Sequence, residues 1–275
     1  MLRDSLKFAL SINIFRMKLK GIIFDFGFTL FSFENPSVEK YFDCFNRGLL
    51  KSIKLLKDKS VLKEEDEIDQ DFINAFNRKR ANSFKLAMKT KEEFPTTLIF
   101  KTVLTILKEK GYNVKCDNLK DELLEEMAEI YHSCEESEWK PFSETKMTLE
   151  ALSKFSDLKI GLISNHPNHK TISNMLESNN LRKYFDVIVT SAEFGKRKPN
   201  PDIFLYTLSK MGLEANDAKD CIMVGDEAAD AVGANRVGMR IILKKRDYEF
   251  PYEREITIPN LIVIKSINEV LNYIS

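Results

Sequence analysis

A short apolar run ending in a lone carboxylate constrains this chain more than any other feature. Gly21-Ile22-Ile23-Phe24 leads into Asp25, and Phe26-Gly27-Phe28-Thr29-Leu30 follows at once. Such a run reads as a buried strand. Asp25 then stands at the carboxyl edge of a sheet, which is where ligands bind in open α/β folds. A carboxylate there can serve as nucleophile, as metal ligand, or as both. It can also simply cap a tight strand-to-loop turn.

The next strand signal comes only after a long helical stretch. From about residue 37 to 140, apolar residues recur at helical spacing. Phe42, Phe45, Leu49, Leu50, Ile53 and Leu56 form one stripe, and Phe72, Ile73, Phe76, Phe84 and Met88 a second. Leu98 to Leu107 and Leu123 to Tyr131 supply two more. The breaks at 57–60, 92–95 and 111–118 are charged or rich in turn residues. This stretch reads as an all-helical module whose aromatic stripes form a core.

After Pro141 strands and helices alternate. Strands are expected at 158–164, 185–191 and 221–226, with helices running to about Asn180, over 201–211 and to about Val237. Arg240–Lys244 and Leu261–Ile264 are further apolar runs, and 267–274 reads as a closing helix. Alternation of this kind implies βαβ units. The expected fold is therefore α/β: a Rossmann-like, doubly wound parallel sheet core with an inserted all-helical cap. The divisions are an N-terminal extension over 1–17, a core from 18–35 and 141–275, and a cap over 36–140. Met17 directly precedes the first strand and is a candidate start site.

Composition excludes some classes of function. The 275 residues carry 42 basic and 42 acidic side chains, a balance that argues against nucleic acid as a partner. No apolar run approaches the roughly 18 residues that span a bilayer, so no membrane partner is expected. Cys44, Cys116, Cys134 and Cys221 lack metal-knuckle or Cys-x-x-Cys spacing. They read as reduced thiols of a cytoplasmic protein, with Cys221 packing as a small hydrophobe.

Four segments carry chemistry: Asp25 with Gly27 and Thr29; Ser164-Asn165; Gly195-Lys196-Arg197-Lys198-Pro199-Asn200-Pro201; and Gly225-Asp226 with Asp230. Each alone has a bland reading. Ser164 or Asn165 can cap a helix, the basic loop can be solvated, and Asp230 can complement a helix dipole. In this order, at strand ends, they resemble the haloacid dehalogenase superfamily, in its branch with a helical cap after the first strand.

The resemblance implies a role for each residue. Asp25 is the nucleophile that forms an aspartyl-phosphate. Mg²⁺ offsets the repulsion between carboxylate and phosphate, held by Asp25, the Gly27 carbonyl, Asp226 and Asp230. Asp230 can instead organise metal-bound water. Ser164 and Lys198 join Asp25 as catalytic residues, and Thr29, Ser164, Asn165 and Lys198 contact the phosphorylated substrate. Pro199 and Pro201 fix the loop that bears Lys198. The implied activity is hydrolysis of a small phosphorylated metabolite by a monomer or small homo-oligomer.

One departure stands out. Most phosphatases of this type carry a second Asp two residues after the nucleophile, as general acid and base, and this chain has Gly27 there. Such help is worth about 10²–10⁴-fold, and poor leaving groups need it most. Acyl or anomeric phosphates need it least. Glu34, His166 and His169 are candidate substitutes, while His132 reads as structural. A catalytically impaired phospho-ligand binder or regulatory protein, and a 2-haloacid dehalogenase in which Asp25 attacks carbon, are the alternatives. Phe31 and Phe33 can line the entrance or belong to the core.

Overall fold

The computed structural model describes residues 19–33, 38–63, 68–115, 118–246, 256–259 and 261–274. Met17, Glu34 and Cys116 lie outside them, as does the expected extension over 1–17.

Strand β1 (Gly21–Phe24) is the hub of the sheet. It pairs in parallel with β4 (Lys159–Ser164) on one side and β6 (Cys221–Gly225) on the other. Beyond these lie β5 (Val187–Thr190), β7 (Arg240–Lys244) and β8 (Ile262–Ile264). The six-stranded order is β5-β4-β1-β6-β7-β8, with every pairing parallel.

Strand period explains why the core has two layers. Ile22 and Phe24 of β1 join one apolar cluster, while Ile23 between them joins another. In β6, Ile222 and Val224 face the first cluster and Cys221 and Met223 the second. A strand apolar on both faces needs helices on both. The first layer is closed by α5 (Thr145–Leu152), α6 (His169–Ser178) and a 3₁₀ segment (Ile267–Tyr273). The second is closed by α8 (Pro201–Lys210), through Ile203, Phe204 and Leu208, and by α9 (Ala228–Arg236). A single turn, α7 (Ser191–Phe194), follows β5. The sequence reading anticipated the parallel strands but not α5, and it read the 3₁₀ segment as a regular helix.

The described residues of the intervening region include the helices α1 (Val38–Asp58), α2 (Asp69–Thr90), α3 (Thr96–Glu109) and α4 (Asp121–Glu138). They share a separate cluster built on Phe72, Phe76, Phe100, Val103, Leu104 and Tyr131. The second stripe does not bury all of its members, since Phe84 is 47% and Met88 46% exposed. Periodicity marks a helix face but does not supply a neighbour to cover it.

Packing resolves one open reading and overturns another. The chain enters and leaves the helical region through a short antiparallel pair, β2 (Phe31–Phe33) and β3 (Trp139–Pro141). Phe31 and Phe33 are buried in the first cluster with Trp139, so they are core rather than entrance. Cys44 and Cys134 form a disulfide between α1 and α4, with Cα atoms 5.5 Å apart across 90 residues of sequence. The expectation that these two are reduced thiols is therefore overturned. Cys221 is a free, buried thiol, pushed up to about 12 by burial.

Candidate active site

Adjacent parallel strands bring their carboxyl ends together, so β4, β1 and β6 deliver Ser164, Asp25 and Asp226 to one edge. Asp25 directly follows β1, and its N–H donates to the Val224 carbonyl at 2.9 Å. Asp25, Asp226 and Asp230 are buried, with carboxylate oxygens within 4.8 Å of one another.

Lys198 reaches this edge from the loop before α8. Its ammonium donates to Asp25 Oδ1 at 2.5 Å, Asp230 Oδ1 at 2.6 Å and the Ile163 carbonyl at 3.1 Å. Asn165 grips the same loop at both ends of its amide. Its Oδ1 accepts from Lys198 N–H at 2.8 Å, and its Nδ2 donates to the Lys198 carbonyl at 3.1 Å. The Lys198–Pro199 peptide is cis, and Asn200 caps α8 by accepting from Asp202 N–H. Lys196 instead pairs with Asp202, and Arg197 with Glu93 at 2.6 Å, so Lys198 alone of the three faces the carboxylates.

Asp230 sits in the first turn of α9. Its Oδ2 accepts from the N–H groups of Asp226 and Glu227, both at 3.1 Å, while Oδ1 takes Lys198. Both oxygens are therefore engaged, and the side chain ties the lysine to the end of β6. Gly225 makes the approach possible, because a Cβ there would lie 2.3 Å from Asp230 Cγ. Thr29 donates its hydroxyl to Asp226 Oδ1 at 2.9 Å, which orients that carboxylate. Arg246 follows β7, and its Nε lies 3.0 Å from Asp226 Oδ2. The sequence reading did not single out Arg246, and no local pattern around it signals the contact.

Electrostatics follow from these distances. Burial, and next the Asp25 and Asp230 charges, push Asp226 well above the usual carboxylate range. Burial pushes Asp230 up to about 7 against the opposing pull of Lys198. Burial alone would lower the Lys198 amine, but Asp230 and Asp25 outweigh it and hold the group above its ordinary range. Clustered buried acids of this kind call for positive charge. Their donor atoms are all hard oxygens, which suits Mg²⁺. The residues therefore fit such an ion, with Asp25 the most available ligand because Lys198 takes only one of its oxygens, while Asp226 is held by Thr29 and Arg246 and Asp230 by Lys198 and two backbone N–H groups.

Gly27, where the sequence reading looked for a second acid, is sterically confined. A Cβ built on Gly27 would lie 3.1 Å from Trp139 Cη2 and 3.5 Å from Cζ3. The indole is itself boxed in by Phe26, Phe28 and Phe33, with ring centroids 6.1, 5.1 and 5.5 Å away. Neither candidate histidine has a ring free for this role. His169 contacts Thr190 Oγ1, Ser173 Oγ and Glu193. His166 contacts Asn168 and, across the seam with the helical region, Glu135. The third histidine, His132, is buried on α4 against Thr96 and Glu135.

A parallel sheet with an acidic, lysine-bridged cluster at its carboxyl edge and a helical insertion after its first strand defines the class. The model of the haloacid dehalogenase-like hydrolases matches residues 68–244, and the chain belongs to that family. The chain is 36% identical over 129 residues to phosphoglycolate phosphatase of Aquifex aeolicus, covering 46% of this chain and 58% of that protein. It is 32% identical over 136 residues to glyceraldehyde 3-phosphate phosphatase of Methanocaldococcus jannaschii, covering 48% and 58%. Each match therefore spans little more than half of the relative's length. A longer match, 27% over 229 residues and 81% of each chain, is to human N-acylneuraminate-9-phosphatase. Among solved structures, a 2-haloacid dehalogenase from Pseudomonas syringae shares the fold with a TM-score of 0.62 at 19% identity, over 93% of this chain and 97% of that one. No helix among the described residues is long and apolar enough to cross a membrane.

Proposed function

We propose that the protein is a Mg²⁺-dependent phosphatase that hydrolyses a small phosphorylated metabolite through an aspartyl-phosphate on Asp25. The observation that carries this reading is the contact of Lys198 with Asp25 and Asp230 beside Asp226, all at one sheet edge. The phosphatase relatives supply independent support.

In this reading Asp25, Asp226 and the Gly27 carbonyl would hold Mg²⁺, which would supply positive charge to offset that of the transferring phosphoryl group. An Asp25 oxygen attacks phosphorus as the bond to the leaving oxygen breaks. Lys198 aims the carboxylate and offsets phosphoryl charge, Asp230 holds Lys198, and Asn165 holds its loop. Ser164 donates a hydrogen bond to a phosphoryl oxygen. Thr29 acts one step back, by orienting Asp226. Water then releases phosphate from Asp25.

Gly27 beneath Trp139 leaves little space for a second acid at that position. The favoured substrates are therefore those whose leaving oxygen departs with little protonation, such as acyl or anomeric phosphates. The same observation favours one second reading, a phospho-ligand binder with impaired turnover.

A panel of phosphomonoesters and acyl phosphates, assayed with and without Mg²⁺, tests the proposal. Turnover that needs Mg²⁺, prefers good leaving groups and disappears in Asp25→Asn is expected. Binding without turnover supports the second reading, and halide release from 2-haloacids without metal contradicts both.

A further inference from the structure

A second cluster of ligand atoms lies outside the acidic pocket, on the seam between helical region and core. His132 and Glu135 occupy one face of α4, three residues apart, and His166 follows β4 in the loop that begins with Asn165. One nitrogen of each ring faces the same oxygen, Glu135 Oε2: His132 Nδ1 is hydrogen-bonded to it, and His166 Nε2 stands 3.4 Å away. Both His132 and Glu135 are buried. The ligand atoms of all three lie within 4.8 Å of one another.

The outward nitrogens carry the stronger argument. His132 Nε2 is 2.8 Å from Thr96 Oγ1, and His166 Nδ1 is 2.7 Å from the Asn168 carbonyl. Metal-binding histidines are held in this way, with the far nitrogen fixed by an outer partner. Thr96 can serve two states, because its hydroxyl donates to a bare Nε2 or accepts from Nε2–H. Asn168 N–H also lies 3.1 Å from His166 Nδ1, but the shorter carbonyl contact calls for a proton on that nitrogen. In a neutral ring the Nε2 lone pair then points at the Glu135 carboxylate. Two acceptors facing each other require a positive species between them, either a proton or a metal ion.

We propose that His132, Glu135 and His166 bind one borderline divalent cation, with Zn²⁺ as the reference ion, and so clip α4 to the loop beside Ser164. Two imidazoles and one carboxylate form a common zinc ligand set, and it leaves a fourth position open. Soft-to-borderline nitrogen donors separate this site from the all-oxygen pocket at the sheet edge, which suits Mg²⁺. The cation takes the place of the protons now shared with Glu135, so binding releases protons. Its position matters for the fold as well. Thr96 N–H donates to the Pro167 carbonyl at 3.0 Å, and Glu93 N–H to the Gly195 carbonyl at 2.8 Å, so the clip strengthens a seam already formed at two loops of the pocket.

The test is Zn²⁺ titration of the full chain by calorimetry with excess Mg²⁺ present, in two buffers of different ionisation enthalpy. One Zn²⁺ per chain with proton release is expected, unchanged in Asp226→Asn. Affinity should fall at least tenfold in His132→Gln and in His166→Gln, and about tenfold in Thr96→Val, which removes only the outer partner. Co²⁺ bound to the wild-type chain should show intense four-coordinate visible bands, a readout that stands even where a histidine variant fails to fold. Absence of stoichiometric Zn²⁺ binding overturns the proposal. So does binding lost in Asp226→Asn, or only the weak bands of a six-coordinate oxygen site.

Discussion

Gly27→Asp introduces the second acid that the family resemblance leads one to expect two residues after Asp25, and the structure predicts that this change alone fails to add acid catalysis. The new Cβ would stand 3.1 Å from Trp139 Cη2, several tenths of an ångström inside ordinary contact. The indole has little room to withdraw, being only 7% exposed and packed among Phe26, Phe28 and Phe33. Overpacking of this kind costs about 1–3 kcal/mol. At about 2–4 °C per kcal/mol for a chain of this size class, the melting temperature should fall by roughly 2–12 °C. Turnover of an alkyl phosphate, a poor leaving group, should not rise. Trp139→Leu combined with Gly27→Asp opens space for the carboxyl group and should recover part of the about 10²–10⁴-fold that an acid provides. The assay compares alkyl and acyl phosphates across the four-protein cycle, with melting curves for each. If Gly27→Asp alone accelerates the alkyl substrate at unchanged melting temperature, the indole does not block the position and the reasoning fails.

Three other outcomes are expected. Gly225→Ala should cost about 1–3 kcal/mol by overpacking and about 10²-fold in kcat by misplacing Lys198, because its Cβ would fall 2.3 Å from Asp230 Cγ; normal melting and rate would contradict this. Arg246→Gln removes the cation 3.0 Å from Asp226 and should tighten Mg²⁺ binding by about tenfold, since a charged hydrogen bond no longer competes; unchanged or weaker binding by calorimetry counts against it. Cys44→Ser removes the link to Cys134 and should lower stability to urea by about 2–4 kcal/mol, without abolishing turnover.

What could be read from the sequence was local. Ile22-Ile23-Phe24 declares a strand covered on both faces by residue type alone, and Asp25 is fixed at its end by order. Lys198 stood out from Lys196 and Arg197 because Lys198-Pro199-Asn200-Pro201 matches the Lys-Pro-x-Pro pattern of the family it resembles. What escaped notice depends on contacts remote in sequence. Trp139 covers Gly27 only because β3 folds back beside β2. Arg246 meets Asp226 only because β7 lies next to β6. Cys44 and Cys134 meet only because α1 packs on α4. Phe84 and Met88 show the converse, the end of a regular stripe that stays about half exposed while Phe72 and Phe76 are buried. Thr29 and Asn165 were found as residues, but the structure engages them with Asp226 and Lys198.

The central claim concerns a covalent bond to one carboxylate, and it can be trapped. The protein is mixed with acetyl phosphate and Mg²⁺, quenched in acid and reduced with borohydride, which converts an aspartyl-phosphate to homoserine. Peptide mass spectrometry should then find homoserine at position 25 and at no other aspartate. Steady turnover with position 25 unmodified, or homoserine at Asp226 or Asp230 instead, would contradict the account.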